Sequence, residues 1–273
     1  MQSALVKEIR GFVRTNPANR QEDGQVPYFD APLIGVAAAD DPLFRHYQQI
    51  IGPYHFTPKD FLPTAASVVC WVLPVTEATR VSNRRETRVP SRAWARTRDQ
   101  GESFNVLLRR HLVTWFEQQG YQATAPQLSA QWQAVEDPGA GPSSNWSERH
   151  AAYAAGLGTF SLNDALITPK GIAHRLGSLI TACKLEPNPR SCSDYQSNCL
   201  YFRSDSCGLC IDRCPVNAIS PQGHDKRKCR AYVYGTVPET VAARYEVQAT
   251  GCGLCQTKVP CEFRNPASGR ISK

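Results

Sequence analysis

The stretch Cys207-Gly-Leu-Cys210-Ile-Asp-Arg-Cys214-Pro215 decides the architecture. Its Cys-x2-Cys half brings two thiols to one point on a tight turn, where backbone N–H groups can aim at the sulfurs. The Cys-x3-Cys step then sends a third thiol off in another direction. Pro215 removes an N–H and presets φ, which suits a chain leaving a tight ligand loop.

Outward from this stretch lie Cys199 upstream, and Cys229, Cys252-Gly-Leu-Cys255 and Cys261 downstream. From Cys199 onward the chain holds eight of its eleven cysteines. In a reducing compartment, clustered thiols argue for metal rather than disulfides. Iron–sulfur clusters take four thiolates each, and in two-cluster ferredoxins the cysteine before the proline serves the other cluster. Eight thiols make two such sets. One is assigned to Cys199, Cys207, Cys210 and Cys261, the other to Cys214, Cys229, Cys252 and Cys255. The usual run has a cysteine where this chain has Ser204, and Cys199 takes its place. Cys192 and Cys183 are alternatives, as is a three-cysteine site completed by Ser204 or solvent. Two zinc ions could use the same thiol pairs. Cys70 reads as an inert core thiol, and Cys183 and Cys192 otherwise as spare or exposed.

The remainder is ordinary globular sequence. With 273 residues, 41% hydrophobic and 20% charged, the chain forms one large domain or two modest ones. A net charge of +7 leans toward anionic partners. No apolar run reaches the roughly 18 residues of a membrane span. The N-terminus has no apolar core followed by a small-residue cleavage site, so a cytoplasmic location without membrane contact is expected.

Composition divides the chain into residues 1–180 and a cysteine-rich, loop-like segment, 181–273, that needs staples to fold. Apolar periodicity predicts helices over 4–14, 102–119 and 148–155. Strands are predicted over 32–38, 67–73, 166–169 and 176–181, and a loop over 122–141. The layering is α/β or α+β. Arg80, Arg84, Arg85, Arg88, Arg92, Arg96 and Arg98 form either an electropositive lip for phosphates or a solvated loop paired with surface acids. Cations around Cys229 (Lys226, Arg227, Lys228, Arg230, with His224) either raise a cluster's potential or form a charged turn.

A resemblance can now be named. Ser147-Glu148-Arg149-His150 through Gly156-Leu157-Gly158, then Asn163, Leu166-Ile167-Thr168 and Leu176-Gly177-Ser178, resemble the epoxyqueuosine reductase family. So do Leu62-Pro63 with Ser67-Val68-Val69, the 207–215 run, Ala218-Ile219, Cys229 and Gly251–Cys255. The similarity covers roughly residues 30–265. It implies an α+β protein in which an α/β, nitroreductase-like cobalamin domain (1–180) precedes a ferredoxin-like domain with two [4Fe-4S] clusters (181–273). It also implies related chemistry in reductive dehalogenases: electrons pass through the clusters to cobalt, the substrate is reduced there, and an acid supplies a proton.

By this resemblance Gly156, Gly158, Leu166, Thr168 and Gly177 would line the corrinoid. The family's proton-donating Asp falls at Pro142, leaving Glu148 as the candidate catalytic acid unless it caps its helix or pairs with Arg149. Ser161-Leu162-Asn163 replaces the family's Gly-Lys-Asn. The implied partners are an external low-potential electron donor of ferredoxin or flavodoxin type, and tRNA or a small molecule as substrate. The alternative is an electron-transfer or corrinoid-reactivating iron–sulfur protein without its own substrate chemistry.

Overall fold

The computed structural model describes residues 1–21, 24, 26–190 and 194–268. Four strands make the central sheet: β1 (Leu33–Ala38), β2 (Ser67–Pro74), β3 (Ala123–Thr124) and β4 (His174–Thr181), in the order β1-β2-β4-β3. Every pairing is antiparallel, so helices and strands layer as α+β. β2 is central and buried along its length. Its side chains alternate between two cores, as a period of two requires. The helices that matter are α1 (Gln2–Thr15), α2 (Pro42–Ile50), α3 (Glu77–Arg84), α4 (Arg92–Gln118) and α5 (Glu148–Ala154). Val69, Trp71 and Leu73 of β2 pack on Leu5, Ile9 and Val13 of α1 and on Phe104, Leu108 and Leu112 of α4. Val68, Cys70 and Val72 pack on Phe44 and Tyr47 of α2, on Trp146 and on the alanines of α5. Cys70 is thus the buried core thiol expected.

Two expectations change. The long helix begins at Arg92, not near Glu102. Ser91 caps it, its Oγ accepting the Trp94 N–H at 3.2 Å, and arginine is a good helix former. The arginine-rich stretch is therefore two helix segments joined by a short exposed connection that carries Arg85 and Arg88. Residues 122–141 are also not all loop, since Ala134–Asp137 and Gly141–Ser144 pair as a hairpin. The hairpin is gripped from outside by Arg227, whose Nη2 donates to the carbonyls of Asp137 (2.6 Å) and Pro138 (2.8 Å).

A third core joins the two compositional segments. Leu162, Ala165, Ile167 and Ile172 pack with Cys199, Ile219 and Val259. The first turns of α4 hold the far side of the thiol segment. Asp99 accepts the N–H groups of Gln248 (3.3 Å) and Ala249 (3.1 Å), and Arg92 pairs with Glu246 at 2.6 Å. Trp94 lies against Gly253, where φ is +64° and a Cβ would fall 2.0 Å from the indole. Gly253→Ala should combine backbone strain with overpacking and lower the thermal midpoint by about 5 °C or more. An unchanged midpoint in anaerobic differential scanning calorimetry would contradict this docking.

Candidate functional site

The structure places the eight thiols at two cavities. Cys199, Cys207, Cys210 and Cys261 line one small cavity with Val259 and Pro260. Burial pushes the Cys210 thiol up to about 12, and Cys199 and Cys207 push it in the same direction. Burial likewise raises Cys261, and its neighbours Cys210, Cys199 and Cys207 add to the effect. Cys214, Cys229, Cys252 and Cys255 line a second cavity of about 410 Å³. Burial lifts Cys252 to about 11, with Cys229 and Cys214 adding to it. Each quartet crowds half-buried sulfurs that repel one another once ionised, an arrangement that suits a cationic centre. The Ala218 N–H donates to Cys214 Sγ at 3.1 Å. Among the described residues no three His, Cys, Asp or Glu side chains close to single-ion spacing; the thiols surround cavities instead.

Asn163 and Ile172 line both cavities, and Asn163 Nδ2 donates to the Cys255 carbonyl at 3.1 Å. Ser204 is exposed and bonds to the Leu200 carbonyl and to Ser206, so it stands outside the first quartet's cavity wall. Cys183 is not exposed but buried in the sheet core, because Leu185 and β4 enclose that turn. Cys192 lies outside the described residues.

The larger cavity also carries a charge network. Arg109, with 2% of its side chain exposed, donates to Glu102 Oε1 at 2.8 Å, Glu148 Oε1 at 3.2 Å and the Leu176 carbonyl at 3.2 Å. Arg175 Nε donates to Glu102 Oε2 at 3.0 Å. Burial alone would raise the Glu102 pKa, but the Arg175 and Arg109 guanidiniums outweigh it and hold the carboxyl at about 2. Glu148 neither caps α5 nor pairs with Arg149. Ser147 is the cap, accepting the His150 N–H, and Arg149 Nη1 donates to the Asp164 carbonyl at 2.6 Å. Glu148 Oε2 is buried without a hydrogen-bond partner.

Of the residues expected at a corrinoid, Leu166 lines this cavity beside Leu176 and Trp94. Gly156, Gly158 and Gly177 are instead closed in by Pro189, Ile167 and the Trp71 indole, and buried Thr168 donates to the Gly171 carbonyl at 2.9 Å. Pro142 stands in the hairpin and faces another cavity, bounded by Tyr47, His150 and Lys226.

The arginine stretch is partly consumed by ion pairing. Arg80 and Arg84 pair with buried Glu262, and Arg92 and Arg96 with Glu246. Arg98 lines the larger cavity, while Arg85 and Arg88 remain exposed. Around Cys229, Arg227 and Arg230 pair with Glu136, and His224 faces Asp164 at 3.1 Å.

Glu102, Arg109, Arg175 and Arg213 were not singled out from sequence. Arg213, inside the deciding stretch, donates to the carbonyls of Leu254 (3.2 Å) and Thr257 (3.1 Å) and so clasps the second Cys-x2-Cys loop. The available signal for Arg109 was a charge beside the buried positions Phe104, Leu108 and Leu112 of one helix.

No family model matches the chain. A stretch of 122 residues, 42% of this chain, is 30% identical to the epoxyqueuosine reductase of Staphylococcus aureus and covers 29% of that protein. In fold the chain is similar to epoxyqueuosine reductase from Bacillus subtilis, with a TM-score of 0.53 and 22% identity over 95% of this chain and 66% of that one. It is also similar to a catabolic reductive dehalogenase, with a TM-score of 0.53 and 16% identity over 96% of this chain and 36% of that one. The chain thus spans less than a third of the curated relative and about two thirds of the Bacillus subtilis protein. Among the described residues no helix is long and apolar enough to cross a membrane.

Proposed function

We propose that this divergent relative of the epoxyqueuosine reductases is a cytoplasmic iron–sulfur reductase that acts with a corrinoid. The observation that carries the reading is the pair of thiol quartets, one of which faces the same cavity as Glu148, Glu102, Arg109 and Arg175. Cys199, Cys207, Cys210 and Cys261 would hold one [4Fe-4S] cluster. Cys214, Cys229, Cys252 and Cys255 would hold the other, in a ferredoxin-like segment from residue 181. A corrinoid is a flat ring edged with amides and carrying a phosphate. The larger cavity offers Leu166, Leu176 and Ile172 for such a face, and Arg98, Arg175 and Asn163 for such an edge. Gly156, Gly158, Thr168 and Gly177 would act from behind, by letting the backbone carrying Leu166 and Leu176 pack closely.

When bound, these groups supply single electrons at low potential and a reducing cobalt centre. The chain's own residues bind, orient and handle the proton. Arg109 fixes Glu148 through Oε1, leaving Oε2 as the atom at which a proton is held or passed. Arg175 and Arg109 keep Glu102 charged, so it orients its partners and does not compete as an acid. The electron source is an external carrier of ferredoxin or flavodoxin type.

One solved epoxyqueuosine reductase of similar fold is bound to a tRNA stem loop. For this chain tRNA is one substrate class and a small molecule the other. Few arginines of the 80–98 stretch are left free for phosphates, which favours the small molecule.

The test is an anaerobic titration of the reconstituted protein with cob(II)alamin, followed by electron paramagnetic resonance. A perturbed cobalt spectrum at stoichiometric protein is expected. An unaltered spectrum removes the corrinoid and leaves an electron carrier. In the loaded enzyme, Glu148→Gln should cut turnover at least about tenfold, and full turnover would remove Glu148 as the acid.

A further inference from the structure

We infer that the face around Cys199, Cys207, Cys210 and Cys261 is the docking surface for a small acidic one-electron carrier protein. This rests on reading the thiol quartets as clusters. The second quartet shares its cavity with Glu148 and the charge network, so the first is the outer of the two. Three large apolar side chains stand in solvent beside the outer quartet: Phe202 at 41% exposure, Leu209 at 45% and Phe263 at 45%. Each lies within three residues of one of its thiols, namely Cys199, Cys210 and Cys261. Exposed apolar groups next to a redox centre provide the close contact a transient electron-transfer complex needs.

The charge around them gives the partner's sign. The exposed Arg264 guanidinium stands 5.6 Å from the centre of the Phe263 ring, and Arg80 and Arg84, at 5.6 and 6.0 Å, together carry one more positive charge than the buried Glu262 they pair with. Arg203 is tied to the same side by a 2.8 Å bond from Nη1 to the Ala267 carbonyl, and Lys258 is exposed. The acids of this region are fewer. Asp205 and Asp212 are exposed, while Glu262 is buried and already paired with Arg80 and Arg84. An apolar spot ringed by cations steers an acidic protein and excludes a basic one. In the complex the carrier loses one electron and the outer cluster gains it; no bond forms or breaks and no proton moves.

The test uses the fully reconstituted chain and a purified acidic flavodoxin. Binding is measured by isothermal titration calorimetry at about 50 and about 300 mM salt, and reduction by stopped-flow bleaching of the cluster absorbance with the photoreduced flavodoxin. Weak binding should fall at least about tenfold across that salt range. Arg264→Glu and Phe202→Ser should each slow bleaching by flavodoxin at least about tenfold while iron content and bleaching by dithionite stay at parent values. Salt-insensitive binding, or parent-like bleaching in both variants, overturns the proposal. Self-association or tRNA stem-loop binding lost in the same variants assigns the face to another occupant and overturns it equally. A protein without cluster absorbance fails before any carrier is added, which marks a failure of the cluster reading and not of the docking face.

Discussion

Cys255→Ser should take the anaerobically reconstituted protein from about eight iron and about eight sulfide atoms per chain to about four of each. Cys255 lines the second cavity with Cys214, Cys229 and Cys252. Burial raises it well above an ordinary thiol, and Cys252, Cys229, Cys210 and Cys214 all act on it in the same direction. A serine there offers a poor ligand to iron and leaves three sulfurs around a cavity shaped for four. Cys199→Ser should remove the other half of the iron, since Cys199 lines the outer cavity where Ser204 does not. Cys183→Ala is the control, because Cys183 sits in the sheet core and should keep the full complement. Iron and acid-labile sulfide assays with visible spectra read all three. A Cys255→Ser protein with all its iron would refute the second quartet. Two zinc ions and no sulfide in the parent would replace cubanes with single-ion sites.

The second large effect belongs to Arg109. Its guanidinium is the shared partner of Glu102, Glu148 and the Leu176 carbonyl, and almost none of it meets solvent. Arg109→Met keeps the volume and removes the charge, stranding two carboxylates against an apolar wall. Breaking a buried pair on one side costs about 3 kcal/mol or more, or about 10 °C in thermal midpoint for a chain of this size. The pH dependence follows from Glu102. Its carboxyl is held at about 2, below its ordinary value. The stabilisation is therefore complete above the ordinary carboxylate range and is lost only as pH falls toward 2. In Arg109→Met burial favours the neutral form of the stranded carboxyls, so the deficit should be smallest near about pH 5 and grow toward about pH 8, measured by near-ultraviolet circular dichroism melts under argon. A deficit that is flat across that window would mean the carboxylates are held by some other group. Arg109→Lys should recover only part, because an ammonium does not span both carboxylates as a guanidinium does.

What could be read from sequence followed local chemistry. The apolar runs at 32–38 and 67–73 became β1 and β2 because buried β-branched residues leave few other options. The thiol spacings announced their grouping because turns with two cysteines converge regardless of what surrounds them. The start of α4 was hidden because its first turns carry arginines where a core stripe would be sought. The packing of Trp94 on Gly253 and the contacts of Arg92 and Asp99 with residues 246–249 show what they rest on. The 134–144 hairpin was hidden for a different reason. Ala-Val-Glu-Asp and Gly-Pro-Ser-Ser are weak strand formers, and Arg227, about ninety residues onward, supplies the grip. The network of Glu102, Arg109, Glu148 and Arg175 joins three elements and has no signature within any of them. The glycines of the 156–177 region were legible as places of close approach, but what approaches is protein: Pro189, Ile167 and Trp71.

The long helix α4 has one consequence for how the molecule can be divided. A single rigid rod carries Trp94 under one thiol loop and, two to four turns on, Glu102 and Arg109 in the wall opposite. The two compositional segments therefore cannot drift apart as tethered domains would, because one rod makes contacts in both. Excising residues 181–273 would leave Trp94 and Asp99 without their partners and strip that segment of its floor.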